Sequence, residues 1–159
     1  DSPNVTGLRL CDIVYCVAAP AAWKDRVEGA DWNEIAALPW IFAPAVSTHN
    51  QMLHELFRNH GAEPTKVVEA DQESVMNSLI ESGVGIGLMR DDHAQAGIAE
   101  GRIIIWNKER LTTTLQFIFS TEHSQDPAIV ALVEIMRDIW SLDPKTDDKR
   151  KVLNQETEP

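Results

Sequence analysis

Three consecutive segments decide the fold: LPWIFAP (38–44), STHNQMLHELFRNHGAEP (47–64) and VVEADQESVMNSLIESGVGIGLM (67–89). Short runs of β-branched and aromatic residues alternate here with longer segments whose apolar residues recur at helical spacing. The helical sets are Met52, Leu53, Leu56 and Phe57 in the first longer segment, and Val75, Met76, Leu79 and Ile80 in the second. The predicted strands between them are residues 40–43, 66–70 and 84–89. Strands alternating with helices predict an α/β fold with a mainly parallel sheet.

The ends of the two helices are marked by capping and helix-breaking residues. Ser47, followed by Thr48, offers an N-cap for the first helix, and Asp71 offers one for the second. Gly61 and Gly83 are expected to stop them. The glycine-rich run that follows the second helix leads into a strand, which is the wrong context for a dinucleotide-binding loop. Its glycines instead predict close approach of neighbouring backbone.

The flanking segments lack this regular alternation. Residues 8–19 (LRLCDIVYCVAA) predict a long, largely buried strand, and residues 102–106 and 112–120 predict two more. Ser124 is the expected cap of the last helix. The broad apolar face of that helix consists of Ile129, Val130, Leu132, Val133, Met136, Ile139 and Trp140. We expect this face to pack on the first long strand or on another copy of the chain.

Composition and charge exclude several functions for these residues. The chain has 159 residues, of which 43% are apolar, which suits one domain or two small lobes with a real core. Lys and Arg number 14 against 25 Asp and Glu, so the net charge of −11 repels nucleic-acid phosphates and anionic membranes. No window approaches the run of about 20 apolar residues that spans a bilayer. Residues 142–159 are polar and non-periodic, which predicts a flexible tail.

The N-terminal residues and the two cysteines are used to predict the cellular compartment of the protein. The polar start, DSPN, has no Met and no apolar signal segment, which is typical of a piece of a longer protein; a mature secreted protein is the alternative. On an extended strand, Cys11 and Cys16 lie about 16 Å apart on opposite faces. A disulfide needs Cα atoms within about 7 Å. The sequence therefore predicts two free thiols in a reducing cytosol.

The usual metal-binding and catalytic patterns are absent from the sequence. His49 and His54 are five residues apart, and His54 and His60 are six apart, so neither pair stacks on one helical face. There is no G-x-S-x-G turn, and neither cysteine begins a helix. We predict no metal, no cofactor and no enzymatic activity.

Two helix starts are the candidate binding positions. The loops leading into them follow predicted parallel strands, and loops at the carboxyl ends of such strands face the ligand crevice. A helix N-terminus presents free N–H groups and partial positive charge. Ser47, Thr48 and their backbone N–H groups are therefore candidates to hold a carboxylate or a similar small anion. Plain N-capping is the alternative, and one residue can do both.

The order of these segments resembles the effector-binding domain of LysR-type transcriptional regulators. In that family a "pwi" strand precedes a helix ending in G-x-x-P, followed by a strand and then a helix that closes on a G-x-G-I-x-L-x-P strand. The segments quoted first match this order, and the runs AGIAEGRIIIWN and LQFIFSTEHSQDPAIVALVEIMRDIW resemble the segments that follow in the family. The resemblance covers residues 8–141. One departure is Met89-Arg90, which stands where the family usually has a proline.

The resemblance implies a periplasmic-binding-protein-like (type 2) effector-binding domain over residues 1–141. It implies one complete lobe over about 12–118 and the C-terminal helix of the other lobe over about 124–141. A small organic effector, expected to be an anion, would bind between lobes and alter DNA binding by an N-terminal helix-turn-helix absent from these residues. The implied pocket residues are Pro44, Val46, Ser47, Thr48, His49, Ala70, Asp71 and Gln72. The family also implies a cytoplasmic homodimer or homotetramer with no membrane partner.

Two other functions remain open on sequence alone. An extracytoplasmic solute-binding protein shares the two-lobed fold but carries a signal sequence and normally a complete first lobe. An enzyme of unknown type on the same architecture is the third possibility. An upstream helix-turn-helix in the same reading frame supports the regulator, whereas a signal peptide supports the solute-binding protein.

The charge balance generates a first prediction about nucleic acid. Residues 1–159 alone are expected to show no measurable binding to duplex DNA at physiological salt, because the net charge is −11 and no recognition helix is present. A gel-shift titration measures this. Sequence-specific binding by this chain alone would contradict the assignment to an effector domain.

Overall fold

The computed structural model describes residues 4–64 and 67–142. The strands are β1 (Val5–Pro20), β2 (Trp40–Phe42), β3 (Val67–Glu69), β4 (Gly87–Arg90) and β5 (Ile103–Ser120). The helices are α1 (Lys24–Val27), α2 (Trp32–Ala36), α3 (Thr48–Asn59), α4 (Glu73–Glu81), α5 (Asp91–Ala99) and α6 (Pro127–Ile139). The predicted tail over 142–159 lies outside the described residues except for its first residue. The first residue of the predicted strand 66–70 also lies outside them.

The strands pair in both directions. β2 and β3 are parallel, with Phe42 opposite Glu69. Trp40 also forms a parallel bridge with Ile86, just before β4. β1 lies between β4 and β5, and its pairing with β4 is antiparallel. The parallel pairs lie where the sequence alternates between strand and helix, and the antiparallel pair involves the long strand that lies outside that alternation.

β2 is buried on both faces, so that its successive residues enter two different cores. Trp40 and Phe42 pack in one core with the buried face of α3, including Leu53 and Phe57. Ile41 lies in the other core. The second core also contains Ala43, Met76, Ile80, Met89, Ala94 and Ile103. Because side chains alternate across a strand, the sheet is covered by α3 on one face and by α4 and α5 on the other.

The predicted helical faces are largely confirmed. Leu53, Leu56 and Phe57 of α3 are buried, as are Met76 and Ile80 of α4. The exceptions lie at the margins of each face: Met52 and Leu79 are half-buried, and Val75 is exposed.

Two of the predicted caps are wrong. The N-cap of α4 is Gln72, whose side chain makes no capping bond, so Asp71 lies one residue too early to cap. The N-cap of α6 is Asp126, which accepts from the Ala128 N–H, and not Ser124. Pro127 occupies the first helical position, where its missing N–H costs nothing, and this delays the start of the helix.

The long strands also differ from expectation. β5 is one continuous strand, because the polar residues between its two predicted halves have their own partners: Lys108 donates to the Ala30 carbonyl at 2.8 Å, and Arg110 pairs with Asp91. β1 is buried only in its second half and at Leu8, so the prediction of a largely buried strand holds from Cys16 onward. Both cysteines lie on β1 as free thiols.

The chain divides into two compact units, with Val14–Thr112 as one and Asp1–Ile13 together with Thr113–Pro159 as the other. In the second of these, Thr6 near the start of β1 contacts Thr121, the residue that follows β5, and their hydroxyl oxygens lie 3.0 Å apart. The described part of this unit ends with α6, of which no residue is fully buried. Among its apolar residues, Val133 and Met136 are half-buried, whereas Ile139 is 68% exposed.

Among residues 4–64 and 67–142, no helix is long and apolar enough to cross a membrane.

The approach to β4 shows why two glycines are needed in this region. A Cβ placed on Gly85 would lie 2.7 Å from the Pro39 carbonyl oxygen, which already accepts a hydrogen bond from Ile86 N–H at 2.9 Å. A Cβ on Gly87 would meet the Ile41 carbonyl oxygen at 3.3 Å. The sequence prediction of close backbone approach is therefore confirmed.

These distances predict a graded loss of stability. Gly85→Ala is expected to lower the free energy of unfolding by about 1–3 kcal/mol, because the clashing atom is backbone that cannot move without breaking a hydrogen bond. Gly87→Ala, on the same segment, is expected to cost less, since its contacts are only tight. Urea unfolding followed by tryptophan fluorescence measures both. A Gly87→Ala loss equal to or larger than that of Gly85→Ala would contradict this account.

Candidate functional site

The two predicted binding loops leave the same edge of the sheet. β2 and β3 are adjacent and parallel, so their carboxyl ends coincide. The Ala70 N–H donates to the Phe42 carbonyl at 2.9 Å, which fixes the start of one loop against the end of the other strand. Ala43 and Ala70 are both buried in the same core. The fold therefore brings together the loops that follow β2 and β3.

The loop after β2 is held by its own hydrogen bonds. The Ser47 N–H donates to the Pro44 carbonyl at 2.9 Å, and the Ser47 hydroxyl accepts from the Asn50 N–H at 3.1 Å. The buried Asn50 amide donates to the Ala43 carbonyl at 2.7 Å. Ser47 is thus the N-cap of α3, as predicted.

This arrangement leaves the first turn of α3 open. No acceptor among the described residues takes the backbone N–H of Thr48 or of His49. The Thr48 side chain is exposed, and Val46 is 91% exposed. The N-terminus of α3 therefore has two backbone donors without a partner among the described residues, next to the exposed side chain of Thr48.

His49 ties this loop to the neighbouring strands. Its Nε2 lies 3.0 Å from the Leu88 carbonyl, which can only accept, so Nε2 carries the proton. Its ring packs edge-on against Tyr15 of β1, with ring centroids 5.8 Å apart. Burial lowers the pKa of His49, although the Leu88 hydrogen bond and the charge of Glu73 favour the protonated form. The neutral ring then has an acceptor, Nδ1, which is buried and has no partner among the described residues.

The loop after β3 is less constrained by side chains. Ala70 is buried, whereas Asp71 and Gln72 are exposed. The Gln72 carbonyl accepts from the Met76 N–H at 3.0 Å, which starts α4. Glu73 is the first helical residue, where a carboxylate suits the positive end of the helix.

Several polar residues of this region were not predicted from the sequence. Tyr15 of β1 lies opposite Arg90 of β4. Burial, followed by the charge of Glu73, raises the pKa of Tyr15. Arg90 makes two hydrogen bonds to Asp92, at 2.6 and 3.1 Å, and the Glu73 carboxylate lies 3.6 Å from His93 Nδ1. Among these residues only Arg90 stood out in the sequence, because it follows the strand where the family usually has a proline.

The chemistry of these groups suits recognition of a small polar molecule. They offer free N–H donors, hydroxyls, a neutral imidazole and half-exposed carboxylates. Within residues 4–64 and 67–142, no group of three or more His, Cys, Asp and Glu side chains is arranged to hold a metal ion.

The chain matches one family model, described as the LysR substrate binding domain, over residues 1–141. No curated protein matches the chain.

Solved structures share the fold at low sequence identity. The effector-binding domain of QuiR in complex with shikimate has a TM-score of 0.70 at 16% identity, over 89% of this chain and 68% of that one. ArgP from Mycobacterium tuberculosis has a TM-score of 0.69 at 15% identity, over 88% of this chain and 48% of that one. Full-length LysG from Corynebacterium glutamicum with bound effector Arg has a TM-score of 0.65 at 15% identity, over 87% of this chain and 46% of that one. The chain thus spans about half the length of ArgP and LysG.

These matches confirm the predicted fold class, an α/β domain of the periplasmic-binding-protein-like type 2 fold. They also confirm the resemblance that the order of the sequence segments indicated. Because the family model covers residues 1–141, the chain belongs to the LysR substrate-binding domain family, the effector-binding domains of LysR-type transcriptional regulators.

Proposed function

We propose that this chain senses a small organic effector for a LysR-type transcriptional regulator, and that binding alters DNA binding by an N-terminal helix-turn-helix outside these residues. The observation that carries the proposal is the open N-terminus of α3, with its two free N–H groups, at the edge where two parallel strands end. QuiR with shikimate and LysG with arginine are relatives with bound small organic molecules. We propose no enzymatic reaction for the chain.

In this proposal the effector carries a carboxylate that binds at the start of α3. The Thr48 and His49 N–H groups and the Ser47 and Thr48 hydroxyls are the donors, and the helix N-terminus adds partial positive charge. The loop after β3 contributes Ala70, Asp71 and Gln72 to the wall of the site. Pro44 shapes the first loop, and the exposed side chain of Val46 is available for an apolar contact.

The domain assignment is part of the proposal. Residues of about 12–118 form the second lobe, and 124–141 form the last helix of the first lobe. The compact unit Val14–Thr112 supports the first of these boundaries. The intact regulator is then a cytoplasmic homodimer or homotetramer. Effector binding changes the relative orientation of its lobes and subunits, and this change moves the DNA-binding domains. A helix-turn-helix encoded upstream in the same reading frame is the expected genetic finding.

A titration of the intact regulator tests the site. Thr48→Val is expected to weaken effector binding by about 0.5–1.5 kcal/mol, or about 1.5–3 kcal/mol if the bound group is charged, because one hydrogen bond is lost. Calorimetry with an organic acid found by thermal-shift screening measures this. Thr112→Val, a matched change at an exposed position of β5, is expected to leave affinity unchanged.

The DNA affinity of the effector-free regulator separates a site defect from misfolding. It is expected to stay the same in Thr48→Val. Equal effector affinity in wild type and Thr48→Val would remove Thr48 from the site.

The neutral state of His49 generates a pH prediction for the loop that carries the site. Because the folded-state pKa lies below the ordinary value, the unfolded chain binds more protons as pH falls. The stability that neutral His49 provides is complete above about pH 6.5 and is lost as pH falls from there toward the folded-state pKa. The difference between the free energies of unfolding at neutral and at mildly acidic pH measures this loss of stability. The difference between the two pH values is expected to shrink in His49→Phe, and an unchanged difference would show that His49 does not couple the loop to pH.

A further inference from the structure

The charges around the start of α3 do not suit an effector that is only an anion. Arg90 is the positively charged side chain there, and it is already paired with Asp92 through two hydrogen bonds. Glu73 adds a second negative charge. Asp71, exposed in the loop before α4, adds a third, so these four side chains carry a net negative charge, which opposes a bare carboxylate.

Glu73 has a weak partner of its own. Its carboxylate lies 3.6 Å from His93 Nδ1, which is too long for a hydrogen bond. The same Nδ1 lies 3.3 Å from the Asn77 amide nitrogen, a donor. In the neutral ring, an Nδ1 that accepts from Asn77 has no proton to donate to Glu73.

The charge of Glu73 acts on groups of three other elements. Its charge raises the pKa of Tyr15 on β1, after the larger effect of burial, and it favours the protonated form of His49 on α3 against burial. It also adds to the effect of Asp92 in raising the pKa of Arg90 on β4. Because β2 and β3 are adjacent and parallel, α3 and α4 begin at the same sheet edge, and Glu73, the first residue of α4, lies there with a side chain that is 46% exposed.

Two buried side-chain acceptors near the starts of α3 and α4 also lack partners in the part of the chain that the structure describes. Two buried atoms on α3 and α4, His49 Nδ1 and Asn77 Oδ1, have no hydrogen-bond partner among the described residues. Both are acceptors in the assigned geometry. An ammonium or guanidinium group on a ligand would supply both positive charge to Glu73 and donors to these side-chain acceptors.

We propose that Glu73 is a specificity-determining residue that pairs with a positively charged group of the effector. The effector is then amphoteric, with a carboxylate at the N-terminus of α3 and an ammonium or guanidinium group at Glu73. This inference rests on the proposed function and narrows its ligand class. Stabilisation of α4 by a carboxylate at its first position is the purely structural role of Glu73 against which the inference is tested.

The test compares matched probes that differ in one ammonium group. L-lactate and L-alanine place that group next to the carboxylate, and pentanoate and 5-aminopentanoate place it at the far end. NMR titrations of the chain in low-salt buffer give a dissociation constant for each probe. In at least one pair the ammonium-bearing probe is expected to bind about fivefold more tightly, a modest factor because Glu73 is half exposed.

Two variants identify the source of the preference. Glu73→Gln is expected to abolish it while keeping the dissociation constant of the probe without an ammonium group within about twofold. Glu55→Gln, which makes the same charge change at an exposed position of α3, is expected to keep the preference. A purely structural Glu73 would lower thermal stability in Glu73→Gln and leave the preference intact, which would overturn the inference.

The remaining outcomes distinguish the inference from the proposed function. Binding of both members of each pair with equal affinity, weakened by Thr48→Val, overturns the role of Glu73 and keeps the carboxylate site. Probe binding that is insensitive to Thr48→Val and to Glu73→Gln overturns both.

Discussion

The structure depends on a three-residue strand, β2, that is hydrogen-bonded along both edges and buried on both faces. β3 pairs with one edge in parallel. On the other edge, the Ile41 N–H donates to the Ile86 carbonyl at 2.8 Å, and the Ile86 N–H donates to the Pro39 carbonyl at 2.9 Å. A three-residue strand has few backbone groups for hydrogen bonding. The neighbouring backbone must therefore approach it closely, and Gly85 allows this approach because it has no Cβ. The helices on the two faces of the sheet and the loops at its carboxyl edge all take their positions from this strand.

The candidate site follows from that placement. Parallel neighbours end at one edge, and the helices that follow them start there, so their unpaired N–H groups converge without any special sequence motif. His49 adds a cross-connection, because its ring bonds to the Leu88 carbonyl and packs on Tyr15. The loop that presents Thr48 is thereby held by the sheet as well as by its own capping bonds. A ligand bound there acts on a preorganised loop, which reduces the entropic cost of binding.

The charges around the candidate site differ from the strongly negative net charge of the whole chain. The chain carries −11 overall, yet the start of α3 is a positive helix end with no acidic residue in its first turn. Glu73 occupies the corresponding place on α4. Two helix starts at one edge therefore have opposite character, one open to an anion and one already bearing a carboxylate. That contrast underlies the proposed discrimination between simple and amphoteric acids.

The sequence by itself determined the alternation of strands and helices, the buried faces of α3 and α4, the cap at Ser47 and the family resemblance. These features are local, since they depend on periodicity within one segment or on a side chain bonding to the next turn. It also predicted the loops at the sheet edge, because parallel strands order their ends in one direction. Asp71 as the cap of α4 was wrong, because the helix begins one residue later than its side chain requires, and the binding roles of the loop residues stay predictions.

Only the tertiary structure decided which other side chains join these loops. Tyr15, Glu73 and Arg90 lie on three separate elements, and antiparallel pairing of β1 with β4 places Tyr15 opposite Arg90. That pairing connects residues 75 positions apart, and no local periodicity encodes it. The continuity of β5 was decided in the same way, since Lys108 and Arg110 find partners on α5 and near α1 that a polar interruption in the sequence does not reveal. Local patterns specify elements, whereas the partners of polar side chains depend on which elements meet.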